Sequence, residues 1–151
     1  METVASATKL VNLVKECLSS GIQSKLSNRF KNNPDDLDPA DIVEFAKEGD
    51  ELSIAALSKV GQALGKGLAI IIQLLNPEII VFHGPLSKAN QYVITPIQQS
   101  LNQYCLEKFS KNIYLEISEL DDMNGLLGTT AMLFQNAFST SGTQELLNTI
   151  E

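Results

Sequence analysis

The residues of this chain that could do chemistry are one histidine and two glycine turns. His83 is the only histidine, and Gly84, Pro85, Leu86 and Ser87 follow it directly. Glycine lets a ligand approach the backbone closely, and the start of a following helix presents unpaired N–H groups and the positive end of its dipole. An anion or the polar edge of a ligand could dock at Gly84, although tight strand-to-helix turns also use glycine when nothing binds.

The position of His83 favours a functional role more than its identity does. It follows the carboxyl end of a predicted strand, where open α/β sheets hold ligands. The sequence offers no serine or cysteine nucleophile in an elbow motif and no carboxylate partner nearby. A lone histidine of this kind is more often a hydrogen-bonded structural residue than a general base.

The second glycine turn is the stretch 124–130, NGLLGTT, which contains Gly125 and Gly128. Its composition is similar to that of a phosphate-contact loop, but it lacks the lysine of a P-loop. A helix start that packs tightly on a sheet is an equally good interpretation. Spacing alone does not decide between the two.

The sequence contains no spacing of residues that is typical of a metal site. Cys17 and Cys105 have no CxxC spacing and no second histidine, which argues against a zinc site built from this chain alone and predicts two buried free thiols. The acidic stretch 35–41, DDLDPAD, lacks the glycine and the distal glutamate of a calcium loop, so it is interpreted as a solvated loop.

Length and charge limit the class of protein. A chain of 151 residues suits one domain, and its net charge of −7 repels a phosphate backbone, so direct nucleic-acid binding is not expected. The N-terminus has no signal peptide, and the most apolar window, 67–82, is interrupted by polar residues and a proline before it reaches the length of a membrane span. We therefore expect a soluble, cytoplasmic protein.

Four segments in the first half of the chain have clear helix or loop signals. Apolar spacing predicts a helix over 3–18 that ends before Gly21, and the polar stretch from Ile22 to Asp38 predicts a surface loop. Asp38 and Pro39 start a short helix that runs to about Lys47. A long helix follows, capped by Asp50 and ended by Asn76-Pro77, and its three glycines predict a second backbone packed closely against it: Gly61, Gly65 and Gly67.

The second half of the chain predicts strands alternating with helices. Glu78–Phe82 is short and β-branched, as is a strand buried on both faces of a parallel sheet. A helix is predicted from 86 to about 108 with a kink or break at Pro96, then a strand from Ile113 to Ser118. A last core helix follows over 125–138, capped by Asp122 or Asn124, and 139–151 is a polar tail. The order of elements predicts an α/β layer arrangement with right-handed crossovers.

Three segments of the chain resemble the C-terminal part of the ROK family of sugar kinases and sugar-responsive transcriptional repressors. They are ETVASATKL at 2–10, the run DIVEFAKEGD to HGPLS at 41–87, and ELDDMNGLLGTTAML at 119–133. The resemblance covers residue 2 to about 138 and implies a partial C-terminal lobe of an actin-like, ribonuclease-H-like fold, helix-rich with a small sheet. It divides the chain into 1–138, the C-terminal part of a ROK domain without the N-terminal lobe and zinc motif, and the tail 139–151.

The same resemblance assigns roles to five residues. Glu2 falls on the last glutamate of the family's Gly-Cys-x-Glu motif, which hydrogen-bonds sugar hydroxyls. Gly84, Gly125 and Gly128 are implied to line the nucleotide side of the interlobe cleft, and His83 stands beside them where the family's kinases tend to have glycine. The zinc ligands, catalytic aspartate and ATP-phosphate loop of the family lie outside this sequence. No catalytic residue, cofactor or metal is therefore expected in this chain, whereas the resemblance implies that full-length relatives can bind ATP with magnesium and a structural zinc.

Three functions follow from the resemblance. The first is the effector-binding and oligomerisation part of a sugar-responsive repressor without its DNA-binding domain, and the second is the nucleotide-side part of a sugar kinase. The third is a dimerisation scaffold that binds no ligand. The departure from Gly-Gly at His83-Gly84 favours the first, with a sugar or sugar phosphate as effector and a homo-oligomer as the assembly.

Overall fold

The computed structural model describes residues 6–33, 37–110, 113–118 and 124–138. The chain divides into two compact units, which are described separately. The first runs to Ile117 and contains most of the helices and both strands. The second begins at Ser118 and contains one described helix.

The first unit is built from six α-helices, one 3-10 helix and two strands among its described residues. In chain order they are α1 Ala7–Ser19, α2 Ser27–Asn32, α3 Pro39–Lys47, α4 Glu51–Leu75, β1 Ile79–Phe82, the 3-10 helix Pro85–Ala89, α5 Gln91–Tyr104, α6 Glu107–Ser110 and β2 Tyr114–Ile117. The hydrophobic core lies between α1, α3, α4 and α5, and its fully buried large side chains include Leu10, Ile42, Leu57, Ile72 and Ile97.

Side-chain caps start α1 and α3, and α1 begins at Ala7 instead of at the predicted residue 3. Ser6 accepts a hydrogen bond from the backbone N–H of Lys9 at 3.2 Å and so begins α1. At α3, Asp38 accepts from the N–H of Ala40, and Asp41 accepts in return from the N–H of Asp38, each at 3.2 Å. This reciprocal capping box confirms the predicted start of α3 at Pro39.

Asp50 caps α4 and also holds the segment before α2. Its carboxylate accepts from the N–H and the Oγ of Ser53, at 2.9 and 2.7 Å, and from the N–H of Lys25 at 2.9 Å. The Oγ of Ser24 donates to both carboxylate oxygens. Burial of the carboxyl opposes its ionisation, but these hydrogen bonds together outweigh burial and lower the pKa of Asp50 below its ordinary value.

Two of the three glycines named in α4, Gly61 and Gly65, pack against α5 as the sequence predicts. A Cβ atom added to Gly61 would lie 2.8 Å from the carbonyl oxygen of Val93 and 3.1 Å from the Cβ of Pro96. Such distances leave no room for a side chain, so glycine at 61 lets the two helix backbones meet. By length and composition α4 could span a membrane, a property shared by core helices of soluble proteins. Its packing against α1, α3 and α5 is that of a core helix.

The two strands form a small parallel sheet. Asn76 ends α4 in the left-handed conformation, with φ of 46°, and β1 then pairs with β2 so that Ile79 lies opposite Tyr114. The sheet has two strands among the described residues. The parallel pairing is the arrangement expected of two strands joined by a helical crossover.

The prediction that β1 is buried on both faces is wrong. Ile80 and Phe82 pack against the core, but Ile79 and Val81 are 46% and 58% exposed. Successive side chains of a strand point to opposite faces, and within the described residues the helices cover only one of them. A short apolar run does not reveal whether anything covers the second face.

Two other predicted segments differ from the structure. The predicted loop 22–38 contains α2, which is anchored by the fully buried Leu26 just before it. The helix predicted from 86 to about 108, with a kink or break at Pro96, is instead broken at Asn90, whose φ of 46° separates the 3-10 helix from α5, and again at Cys105. Pro96 lies inside α5 without breaking it, so the break predicted there is wrong.

The remaining predictions concern the two cysteines and the second unit, and they are confirmed only in part. Both cysteines are free thiols as expected, but Cys17 is only half-buried, whereas Cys105 is buried. The second unit contains α7, Asn124–Phe138, where a helix is predicted, although its described side chains 126–135 are exposed rather than those of a core helix. Asn124 is the first residue of α7, and the alternative cap Asp122 and the tail 139–151 lie outside the described residues.

Candidate functional site

The candidate site in the first unit is the turn that follows β1. β1 ends at Phe82, His83 is exposed, and Gly84 has φ of 103° and ψ of −175°. This backbone conformation is available almost only to glycine. The structure therefore requires glycine at 84 for conformational reasons.

Ser87 closes the turn on itself. Its backbone N–H and its hydroxyl both donate to the carbonyl oxygen of Gly84, at 3.0 and 2.7 Å. Leu86, Ser87 and Ala89 are buried, and the 3-10 helix that holds them packs against α3. These buried side chains thus fix the turn to the core.

The predicted helix start after Gly84 does not supply the expected array of free N–H groups. The element is a 3-10 helix of five residues instead of an α-helix. Pro85 has no N–H, and the N–H of Ser87 is already donated to Gly84. The turn is therefore a poorer anion site than the sequence predicts.

The outer side of Gly84 is open. A Cβ atom built at Gly84 would meet no described atom within 4 Å. Close packing inside the first unit therefore does not account for the glycine. The open side leaves space for a ligand next to the backbone at the end of β1.

The second glycine turn is helical and belongs to the second unit. Residues 124–130 all lie in α7, and the hydroxyls of Thr129 and Thr130 donate to the carbonyl oxygen of Leu126, at 2.9 and 2.7 Å. A Cβ atom at Gly128 would meet no described atom within 4 Å. Neither a phosphate loop nor tight packing at Gly128 is therefore seen in the described part of this unit.

The five predicted site residues fall into three groups. His83 and Gly84 are adjacent at the end of β1, and Gly125 and Gly128 share the first turns of α7 in the other unit. Glu2 lies outside the described residues. Among the described residues, no cluster of three or more His, Cys, Asp or Glu side chains is arranged to hold a metal ion.

Sequence reasoning missed one cluster, which consists of Lys9, Lys59 and Lys66 around a groove between α1 and α4. The charges look dispersed along the sequence, because fifty residues separate the first two lysines. The seven-residue spacing of Lys59 and Lys66 on a predicted helix was the available signal, since it places both on one face.

Comparison with curated proteins gives relatives of two kinds. The chain is 31% identical to the DNA-binding transcriptional dual regulator NagC of Escherichia coli over 126 residues, which are 83% of this chain and 30% of that protein. It is 26% identical to a glucokinase of Thermotoga maritima over 133 residues, which are 88% of this chain and 42% of that protein. The chain thus spans about a third of the length of the curated relatives it matches.

A solved structure supports the same relationship. The crystal structure of a ROK family transcriptional regulator, a homologue of the E. coli MLC protein, matches with a TM-score of 0.70 and 28% identity. The match covers 77% of this chain and 28% of that one. The fold is that of the actin-like class, represented here by a helix-rich portion with a small parallel sheet.

The family itself is identified by the sequence as a whole. The ROK family model matches residues 1–136, which include α4, β1 and both glycine turns. Relatives that regulate transcription and relatives that phosphorylate sugars both match over most of the chain. The chain is therefore a partial ROK domain and belongs to the ROK family.

Proposed function

We propose that this chain is the C-terminal effector-binding and oligomerisation part of a ROK-family sugar-responsive repressor. The relatives named N-acetylglucosamine repressor and xylose repressor, which match over 83% and 92% of the chain, support this assignment. The observation that carries it is the turn His83-Gly84-Pro85 after β1.

This turn is poorly suited to a nucleotide. The resemblance implies that kinases have a Gly-Gly pair here, and glycine at both positions would let a phosphate approach two successive backbone groups. In this chain an imidazole occupies the first position, Pro85 removes one N–H, and Ser87 donates another to Gly84. A repressor that no longer turns over ATP would tolerate such a turn.

The sugar side of the proposal rests on Glu2. A carboxylate can accept hydrogen bonds from two vicinal sugar hydroxyls, which is the role that the family resemblance implies for this position. The effector would be a sugar or a sugar phosphate. Residues of the wider family domain that choose among sugars are outside this sequence.

The oligomerisation part of the proposal rests on exposed apolar surface. Ile79 and Val81 of β1 and Tyr114 of β2 are exposed on one face of the sheet, and Ile70 and Leu74 are exposed near the end of α4. Exposed apolar side chains grouped in this way are typical of surfaces that another protein covers. We expect the chain to self-associate at micromolar concentration, which sedimentation velocity would show.

A sugar kinase is the second candidate function. The glucokinases of T. maritima and Halalkalibacterium halodurans match over 88% and 85% of this chain, which lies between the 83% and 92% of the two repressors. The open side of Gly84 also leaves space for a nucleotide. In this case the chain would supply the nucleotide side of the cleft.

Calorimetric titration of the 151-residue chain separates the candidates. Ligands would be a panel of hexoses, N-acetylhexosamines and xylose, and the non-hydrolysable ATP analogue AMPPNP. We expect saturable binding of one sugar class, no binding of AMPPNP, and no sugar-dependent ATP hydrolysis, because a base and a metal-held triphosphate are both needed for phosphoryl transfer. Glu2→Gln should abolish the heat of sugar binding.

Each other result contradicts the proposal. Saturable AMPPNP binding, or sugar-dependent ATP turnover, would establish the kinase candidate instead. Binding of neither ligand class would leave a scaffold that only dimerises.

A further inference from the structure

We propose that the groove between α1 and α4 is a binding site for a small organic anion with an apolar body. The groove has a volume of about 450 Å³ and is lined by Lys9, Leu13, Lys59, Val60, Gln62, Ala63 and Lys66. Ligand pockets for small molecules have volumes of this order, roughly 300–1,000 Å³. The inference is independent of the sugar and nucleotide sites proposed above.

The wall of the groove is cationic. Three of its seven lining residues are lysines and none is an aspartate or glutamate. Lys9 comes from α1, whereas Lys59 and Lys66 are seven residues apart on one face of α4 and are exposed. Three lysines line this groove in a chain whose net charge is −7, so the groove differs in sign from the protein as a whole.

The described residues do not neutralise this charge. No ion pair between these three lysines and a described carboxylate is present in residues 6–33, 37–110 and 113–118. Lys66 contacts an aromatic face instead, since its Nζ lies 5.2 Å from the centre of the Tyr104 ring. A cation–π contact orients an ammonium group but leaves its charge available to an anion.

The floor of the groove is apolar. Val60 is buried and Leu13 and Ala63 are half-buried, while Gln62 provides the uncharged polar group of the lining. An inorganic anion would use only the lysines. An anion with an apolar body would also cover Leu13 and Ala63, and the apolar surface removed from water would add to the affinity.

The site can be tested with 2-naphthyl phosphate as the probe and 2-naphthol as its uncharged counterpart. Amide chemical shifts of the 151-residue chain would be followed by NMR during each titration. We expect saturable shifts at Lys9, Leu13, Lys59, Gln62, Ala63 and Lys66, with 2-naphthol at least about tenfold weaker, since a charge-assisted contact contributes of the order of one decade in Kd.

Two variants test separately the charge of the groove wall and the space at its floor. Lys59→Gln combined with Lys66→Gln keeps the length of both side chains similar but removes two charges, and Ala63→Leu keeps the charges but fills the floor. Each should raise the Kd for 2-naphthyl phosphate at least about tenfold. Lys47→Gln, at an exposed lysine of α3 outside the groove, should leave it unchanged and serves as the matched control.

Three results would overturn the proposal. These are equal affinity for the phosphate and for 2-naphthol, shifts centred outside the groove, and a Kd that neither groove variant alters. A sedimentation coefficient that falls in Ala63→Leu would show instead that a second copy of the chain covers this face.

Discussion

Gly65 of α4 lies so close to Ser100 of α5 that a Cβ atom added to it would be 2.6 Å from the Cβ of Ser100. The same atom would be 2.7 Å from the carbonyl oxygen of Ile97. Real Cβ atoms essentially never come this near to backbone atoms. The two helices can therefore keep their separation only with glycine at position 65.

Gly65→Ala should destabilise the first unit. Alanine favours the helix by up to about 1 kcal/mol, but forcing a methyl group against a packed backbone costs about 1–3 kcal/mol or more. Because Ile97 cannot move its carbonyl without moving α5, we expect a net loss of about 2 kcal/mol in the free energy of unfolding in urea. Lys59→Ala, at an exposed site of the same helix, is the control, and an equally stable Gly65→Ala would refute the packing account.

Asp50 should make the stability of the first unit depend on pH. Its pKa in the folded protein is lower than the ordinary value of 3.8, so its contribution is complete well above pH 3.8 and is lost as the pH falls through the folded-state pKa. Asp50→Asn keeps an acceptor but removes the charge. We expect the variant to be less stable by about 1–2 kcal/mol at pH 7, because hydrogen bonds to a charged group are the stronger ones.

The difference between the wild type and Asp50→Asn should shrink as the solution is acidified. Urea unfolding curves of both proteins between pH 7 and the acid limit of folding would measure it. Glu51→Gln removes an exposed charge from the neighbouring residue and controls for general effects of charge. A difference that stays constant with pH would show that the carboxylate is not the stabilising group.

The two candidate-site glycines should respond to alanine in opposite ways. Gly84→Ala places a side chain in a backbone conformation that costs about 1–3 kcal/mol, and we expect that loss in urea unfolding of the first unit. Gly128→Ala adds a methyl group with space around it inside α7. It should stabilise this helix by up to about 1 kcal/mol and so raise its helix content. Circular dichroism would measure the second effect, and a stable Gly84→Ala would contradict the first.

His83→Gly should leave the fold intact and increase the affinity for ATP. The side chain is exposed, so its removal should change the free energy of unfolding by no more than about 1 kcal/mol. The added glycine would restore the Gly-Gly pair that the family resemblance implies for kinases. Because the wild type is expected to show no binding of AMPPNP, we expect weak binding to become detectable by calorimetry in the variant, a gain of about one hydrogen bond.

His83→Ala is the matched control for this substitution, since it removes the imidazole without giving glycine's freedom. If neither variant binds AMPPNP more tightly than the wild type, His83 does not mark a departure from nucleotide binding.

Local sequence signals predicted the starts and ends of elements better than their surroundings. Asp38, Asp50 and Asn76 act on backbone groups within a few residues, so their caps and stops could be inferred without tertiary structure. The exposed face of β1 and the break at Asn90 could not. The exposure of β1 depends on which elements cover the sheet. The break at Asn90 depends on a left-handed conformation, which asparagine tolerates but which its presence in a sequence does not predict.

The candidate site shows the same division. Gly84 was singled out for close approach of a ligand or as part of a tight strand-to-helix turn, and its φ of 103° agrees with the second interpretation. The hydrogen bonds by which Ser87 closes the turn depend on the 3-10 geometry of the next five residues, which the sequence did not distinguish from an α-helix. The lysine groove needs α1 and α4 to be packed side by side, so only the folded chain reveals it.

The 3-10 helix packs on α3, so the turn after β1 is mechanically joined to that helix. Because Leu86 and Ala89 are buried and the helix that holds them packs against α3, a ligand that pushed on Gly84 would move α3 with it. Asp41 of α3 is joined to Arg29 of α2 by an ion pair of 3.0 Å, so the displacement would reach the surface on that helix. The turn after β1, α3 and the exposed side chain of Arg29 are thereby linked through packing and one ion pair.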